Sequence, residues 1–274
     1  MIITIAVLLT CFNRHVKTLT CLGSLYNCQI PENHILDVYL VDDGSSDGTS
    51  IAVKRDFPQV TIIQGTGNLF WNKGMYLAWT SAIRKKEYDY YLWLNDDTLL
   101  IKSAVKLLLE NSKLLNNRRI IVGATCSKEK GRVTYSGYIF PDKKLYPNDT
   151  WQKCDFFNGN IVLIPSYVFH RVGFLDKQFR HNLGDIDYGM RASKLGFVHS
   201  LSPFCLGICE DHEIDPPWRD SSISIFNRLK YLYSPLGNNP FEFFIFERRH
   251  NGLYLAIIRF FSNHLRAIRP SLWK

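Results

Sequence analysis

The chain has 274 residues, 46% hydrophobic and 21% charged, with a formal net charge of +8. That much apolar material can bury a core, which excludes a disordered tail, and the length suits one large domain or a domain with an appendage. Seven cysteines, at 11, 21, 28, 126, 154, 205 and 209, form no CxxC pair, so they read as reduced thiols of a cytosolic chain and not as a zinc site.

In chain order, the opening MIITIAVLLT is apolar without a basic leader and reads as a buried strand over 2–9. Apolar, β-branched runs at 35–41, 60–63 and 90–94 predict further strands of a parallel type. Helical patterns at 16–28, 49–55, 74–86 and 103–111 alternate with them, which implies a doubly wound sheet with helices on both faces. Strand-like pieces at 120–124, 160–164 and 197–201 and a helix at 185–195 follow. No run of eighteen apolar residues occurs, so no spanning helix is expected.

Polar clusters fall at the carboxyl ends of these strands, where an open α/β sheet places its ligand crevice. VDDGSSDGT, with Asp42 and Asp43, is either a plain Asp-Gly turn or a carboxylate pair that reads a base or ribose. Its lack of a GxGxxG or GxxxxGK pattern excludes a phosphate-cradling loop. LNDDT places Asp96 and Asp97 side by side, either as helix-capping acids or as ligands of a hard divalent cation. GDIDYGMR offers Asp185 as a general base, with Asp187 and Arg191 spaced as an i,i+4 ion pair.

Taken together, these stretches resemble the family 2 glycosyltransferases of GT-A fold, specifically the rhamnosyltransferase-like enzymes of bacterial surface polysaccharide synthesis. LLTCFNR is similar to that family's first strand and loop, VDDGSSDGT to its nucleotide turn and LNDDT to its metal motif. FFNGNIVLIPSYVFHRVGFLDKQF is similar to the segment that leads to the acceptor, and GDIDYGMR to the region of the base. The resemblance implies a Rossmann-like mixed sheet flanked by helices over 1–215. Residues 1–100 would bind the nucleotide sugar and 101–215 the acceptor, with a helical tail over 216–274. It implies nucleotide contacts from Thr10, Asn13, Arg14, Asp42, Asp43 and Asp96, and sugar or acceptor contacts from Trp71, Asn158, Gly159, Asn160 and Asp187. It further implies a Mg or Mn ion at Asp97 and His212, with Asp185 as the base of an inverting transfer. The donor would be a nucleotide-diphosphate sugar and the acceptor a glycan or lipid-linked saccharide of the cell envelope. Two departures stand out. Gly184 replaces the usual Glu before the base, and Tyr76 and Ala78 replace an Asn and a Gly.

Two rival readings are a sugar-phosphate nucleotidyltransferase and a catalytically silent sugar- or nucleotide-binding relative. The first should carry a Gly-rich, basic loop after the first strand, which LLTCFNRHVKT lacks.

Residues 216–274 hold nine Lys/Arg against three Asp/Glu, together with twelve aromatics. Tyr254, Ile257, Ile258, Phe261, Leu265 and Ile268 share one helical face beside Arg259, Arg266 and Arg269, and Pro270 ends the pattern. Such a face suits an anionic membrane surface, or packs within the protein. Nothing resembles an RRM, KH or zinc module, so nucleic acid is not the expected partner.

Overall fold

The computed structural model describes residues 2–211 and 216–273. These residues divide into two compact units, one of 2–176 with 185–211 and the other of 177–184 with 216–273.

The first unit begins as the hydrophobic pattern requires. Strand β1 (Ile3–Cys11), helix α1 (His15–Tyr26), β2 (His34–Asp42), α2 (Thr49–Asp56), β3 (Thr61–Gln64), α3 (Phe70–Lys85) and β4 (Tyr90–Leu94) alternate. β5 (Leu99–Leu100), α4 (Ala104–Leu114), β6 (Ile120–Cys126), β7 (Gly137–Ile139), β8 (Lys143–Lys144), β9 (Gln152–Cys154), β10 (Phe156–Phe157) and β11 (Ile161–Pro165) follow. Helices α5 (Ser166–Val172) and α6 (Gly184–Lys194) and strand β12 (His199–Ile208) complete it.

The large sheet runs β3-β2-β1-β4-β11-β6-β12-β5, with β9 paired to β12, and β10-β7-β8 form a small second sheet. β1 pairs in parallel with β2 and β4, whereas β11 is antiparallel to both β4 and β6. The sheet is therefore mixed. Its central strands bury both faces, which is why their sequences read as unbroken apolar runs. One face packs an aromatic core around Trp79, Tyr91, Trp93 and Tyr188, and the other an aliphatic core around Leu22, Leu40, Leu92 and Leu108.

The cysteines depart from expectation. β6 and β12 are sheet neighbours, and Cys126 and Cys205 join them as a disulfide, while the other five thiols are free and buried.

In the second unit, α7 (Ile225–Leu232), α8 (Pro240–His250) and α9 (Leu253–Ile268) pack together. Segment 177–184 belongs here because Arg180 pairs with Glu242 at 2.6 Å and Asn182 donates to the Gly237 carbonyl. The buried Arg228 guanidinium donates to the carbonyls of Ala267 and Ile268, satisfying groups that the end of α9 leaves open. α9 turns Ala256, Asn263 and Ala267 inward and leaves Tyr254, Ile257, Ile258, Phe261, Leu265 and Ile268 exposed. Arg259, from the basic row beside them, pairs with the buried Glu247 at 2.6 Å. Among the described residues, no helix is long and apolar enough to cross a membrane.

Candidate active site

The turn after β2 is held from within. Asp42 Oδ1 accepts the N–H of Ser45, and its Oδ2 accepts the Ser50 hydroxyl. Asp43 reaches across to the entry of α3, where its carboxylate accepts the backbone N–H groups of Gly67, Leu69 and Phe70 at 2.8, 2.8 and 3.0 Å. An anion there suits the helix N-terminus, whose amides have no intrahelical partner. Phe70 sits at φ 56°, a strained conformation for a bulky side chain, and the bond to Asp43 helps to hold it. Both acids are buried and bonded, so in the structure they shape the turn and place α3.

That placement matters for the next residue. Trp71 lies against Gly159, where a Cβ would meet its Cη2 and Cζ2 at 2.6 Å. Its indole N–H donates to Asn95 Oδ1 at 2.7 Å, and Asn95 N–H donates to the Asn160 carbonyl. Gly159 N–H in turn donates to Asp185 Oδ2 at 2.8 Å, while Asp185 Oδ1 accepts the N–H of Ile186. Residues from the ends of β4, the entry to β11, α3 and α6 therefore meet at one place. Desolvation raises the Asp185 carboxyl above the usual carboxylate range, although these N–H bonds pull it down. Leu183, two residues before Asp185, is also in the left-handed region at φ 70°. Asn158 accepts the N–H of Ser136 near the small sheet, and burial together with the Asp185 charge raises the Tyr138 phenol.

Beside Asn95 stand the paired acids. One nitrogen, Arg14 Nη1, donates to Asp96 Oδ1 at 3.1 Å and to Asp97 Oδ2 at 2.8 Å. The positive charge that this acidic pair calls for is thus present within the chain. Thr18 donates to Asp96 Oδ2, and desolvation pushes that carboxyl up to about 7, with Arg14 opposing the rise and Asp97 adding to it. The Cys209 thiol lies 3.5 Å from Asp97 Oδ1, and burial followed by the Asp97 charge pushes it up to about 12. Among the described residues, no group of three His, Cys, Asp or Glu could hold a metal ion by itself. The hard oxygen donors of Asp97 nevertheless fit a Mg-like ion that takes one or two carboxylates and completes its shell with substrate phosphates. His212 lies outside the described residues.

The remaining expected residues separate. Thr10 packs against α3, its hydroxyl lying where a Cβ on Gly74 would go. Asn13 is exposed at φ 50° and ties the first loop to the second through Ser45 and Ser46. Asn160 is buried, and its side-chain amide points to Cys209. Asp187, expected at the acceptor, is instead fully buried and pairs with Arg191 at 2.8 Å, whose other nitrogens donate to the Val172 and Phe174 carbonyls. It holds α6 to the segment before it. Sequence reasoning missed Asn95, Thr18, Tyr138 and Cys209. Only Asn95 carried a usable signal, as the polar neighbour that precedes both acids.

A sequence model of the family described as Glycosyl transferase family 2 matches residues 6–172. No curated protein matches the chain. Among solved structures, the crystal structure of S. aureus TarS is similar with a TM-score of 0.54 at 14% identity, over 89% of this chain and 44% of that one. The chain thus spans less than half the length of that structure's chain, and at this identity the likeness concerns the fold.

Proposed function

The chain belongs to glycosyl transferase family 2, and on that footing we propose an inverting enzyme that uses a nucleotide-diphosphate sugar. The observation that carries this reading is the meeting of Trp71, Gly159 and Asp185 next to Asn95, Asp96 and Asp97. A base, an aromatic wall and an acidic pair in one place suit a single displacement at a sugar carbon.

The nucleoside half of the donor lies along Asn13 and Arg14 and over the turn that Asp42 and Asp43 hold from within, with Asp96 near the ribose or sugar. Trp71 walls the sugar, and the 158–160 turn faces the acceptor. Asp97 would hold a Mg or Mn ion, which when bound neutralises the charge of the diphosphate leaving group. Asp185 takes the proton from the acceptor hydroxyl as that oxygen attacks the anomeric carbon from the face opposite the diphosphate. Its raised proton affinity suits the task, because a base works best when its pKa approaches the working pH. One carboxylate suffices, since inversion needs no covalent intermediate.

The acceptor is a glycan or lipid-linked saccharide of bacterial surface polysaccharide synthesis, and the transferred sugar a hexose or deoxyhexose such as rhamnose. The exposed apolar side of α9 supports a place for the enzyme on the anionic inner face of the cell membrane, with Arg266 and Arg269 near the headgroups. A thermal-shift screen of nucleotide sugars with Mn²⁺ tests the donor, because a true donor stabilises the folded state by mass action. A rise in Tm for one sugar nucleotide supports the reading. No rise across the common uridine, guanosine, cytidine and thymidine diphosphate sugars contradicts it.

A further inference from the structure

Arg14 stands where a cation between Asp96 and Asp97 would stand. Its Nη1 lies 2.8 Å from Asp97 Oδ2 and 3.1 Å from Asp96 Oδ1, and Asp96 is only 4% exposed. Two adjacent carboxylates, one of them buried, repel each other strongly in a medium of low dielectric. The guanidinium answers that repulsion without any ligand. A divalent ion shared by the two acids would stand beside that like charge at Asp97 Oδ2 and Asp96 Oδ1, so it takes its place there by displacing the arginine.

We propose that Arg14 is a resident counter-ion that closes the acidic pair and yields Asp97 to the metal only as it turns to the diphosphate. The proposal rests on the reading of Asp97 as a metal ligand. The location of Arg14 permits the exchange, because it is about one-third exposed and sits in the loop between β1 and α1. Its neighbours Phe12 and Asn13 are exposed, so the loop meets solvent. A guanidinium has five donors in a planar fork that matches phosphate oxygens, so the released side chain has a partner of equal quality. An arrangement of this kind makes metal uptake depend on nucleotide. The ion alone faces a closed site, whereas the ion and diphosphate together offer both carboxylate and guanidinium a new partner.

The test reads Mn²⁺ binding directly by electron paramagnetic resonance of the free ion. Wild-type protein, Arg14→Gln, Arg14→Lys and Asp97→Asn are titrated with Mn²⁺ alone, then with Mn²⁺ plus UDP, GDP or TDP. Arg14→Gln should bind Mn²⁺ alone at least tenfold more tightly than wild type, Arg14→Lys should fall between them, and Asp97→Asn should bind none. Arg14→Gln should also bind its nucleoside diphosphate about tenfold less tightly, the loss expected of one charge-assisted hydrogen bond. If Arg14→Gln does not fold, Arg14→Lys and the wild-type comparison with and without nucleotide decide. Equal Mn²⁺ affinity in wild type and the Arg14 variants overturns the proposal alone. Absence of Mn²⁺ binding in every protein, with or without nucleotide, overturns it together with the metal role of Asp97.

Discussion

The backbone N–H of Gly159 donates to Asp185 Oδ2 at 2.8 Å, and Trp71 occupies the space that a side chain at 159 would need. The absence of a Cβ at 159 thus lets an indole and a carboxylate approach one backbone position. In Gly159→Ala the new carbon would lie 2.6 Å from the indole and 3.3 Å from Asp185 Cβ, so the ring or the strand must shift. Turnover should fall by at least tenfold with a smaller change in donor affinity, because geometry at the reacting centre is lost first. Steady-state kinetics beside donor titration by tryptophan fluorescence checks this. An unchanged kcat would mean that the Trp71–Gly159–Asp185 contact does not set the reaction geometry.

The second acid of the same helix should behave differently. Asp187 is fully buried against Arg191, so Asp187→Ala leaves a guanidinium short of its partner. Stability should fall by about 3 kcal/mol, toward the lower end for a broken buried pair because Arg191 is partly exposed. Turnover per folded molecule should remain. Urea unfolding together with kinetics on the folded fraction separates the two roles, and a selective loss of kcat would return Asp187 to the acceptor site.

His199 supplies a pH signature of the fold. It is fully buried on β12, its Nε2–H donating to the Gly189 carbonyl at 3.0 Å, and desolvation lowers it to about 4. The unfolded chain protonates this histidine near its ordinary 6.5, whereas the folded chain keeps it neutral down to about 4. Between those values the unfolded state binds more protons. The contribution is therefore complete above 6.5 and lost as pH falls toward 4, amounting to about 3 kcal/mol. Denaturation series at pH 7 and pH 5 should show this slope in wild type and a flatter one in His199→Gln. Equal slopes would remove His199 as its source.

Much of this architecture was legible because the period of the apolar residues is strong where elements are long. Strand 90–94 coincides with β4, and the helix expected at 185–195 differs from α6 by one residue at each end. The small sheet was not legible, since β7, β8 and β10 have two or three residues each and show no period. Within the site, the types and order of the acids were readable, but their partners were not. Asp43 bonds residues 24 to 27 positions away, and Arg14 bonds acids 82 and 83 positions away. Spacing carries no record of such contacts. Asp187 shows the converse, because its i,i+4 spacing to Arg191 announced the ion pair that the structure contains. The Cys126–Cys205 bond was hidden for the same reason, since only the pairing of β6 with β12 brings those residues together.

Phe261 and Tyr254 are 62% and 77% exposed on α9, and each basic residue near an anionic leaflet contributes about 1 kcal/mol that salt screens. Co-sedimentation with phosphatidylglycerol-rich vesicles should occur at low salt, weaken at high salt and fail for neutral vesicles. Phe261→Ser with Tyr254→Ser should reduce it while turnover on a soluble acceptor is retained. Salt-independent binding, or none, would assign this face to protein contact.

A nucleotide-sugar-dependent transfer with Asp185 as its base has a direct readout. That readout is release of nucleoside diphosphate, with the sugar passing to water or to an added saccharide acceptor, from a panel of nucleotide sugars with Mn²⁺, in wild type and in Asp185→Asn. Wild type should turn over one member of the panel, with an acid limb above the ordinary carboxylate range because Asp185 is desolvated. Asp185→Asn should be slower by roughly 10²–10⁴-fold, the usual contribution of a general base, while binding the same donor with similar affinity. Release that Asp185→Asn leaves undiminished would remove Asp185 as the base, and no release from any donor that binds, with acceptor present, would remove the transfer itself.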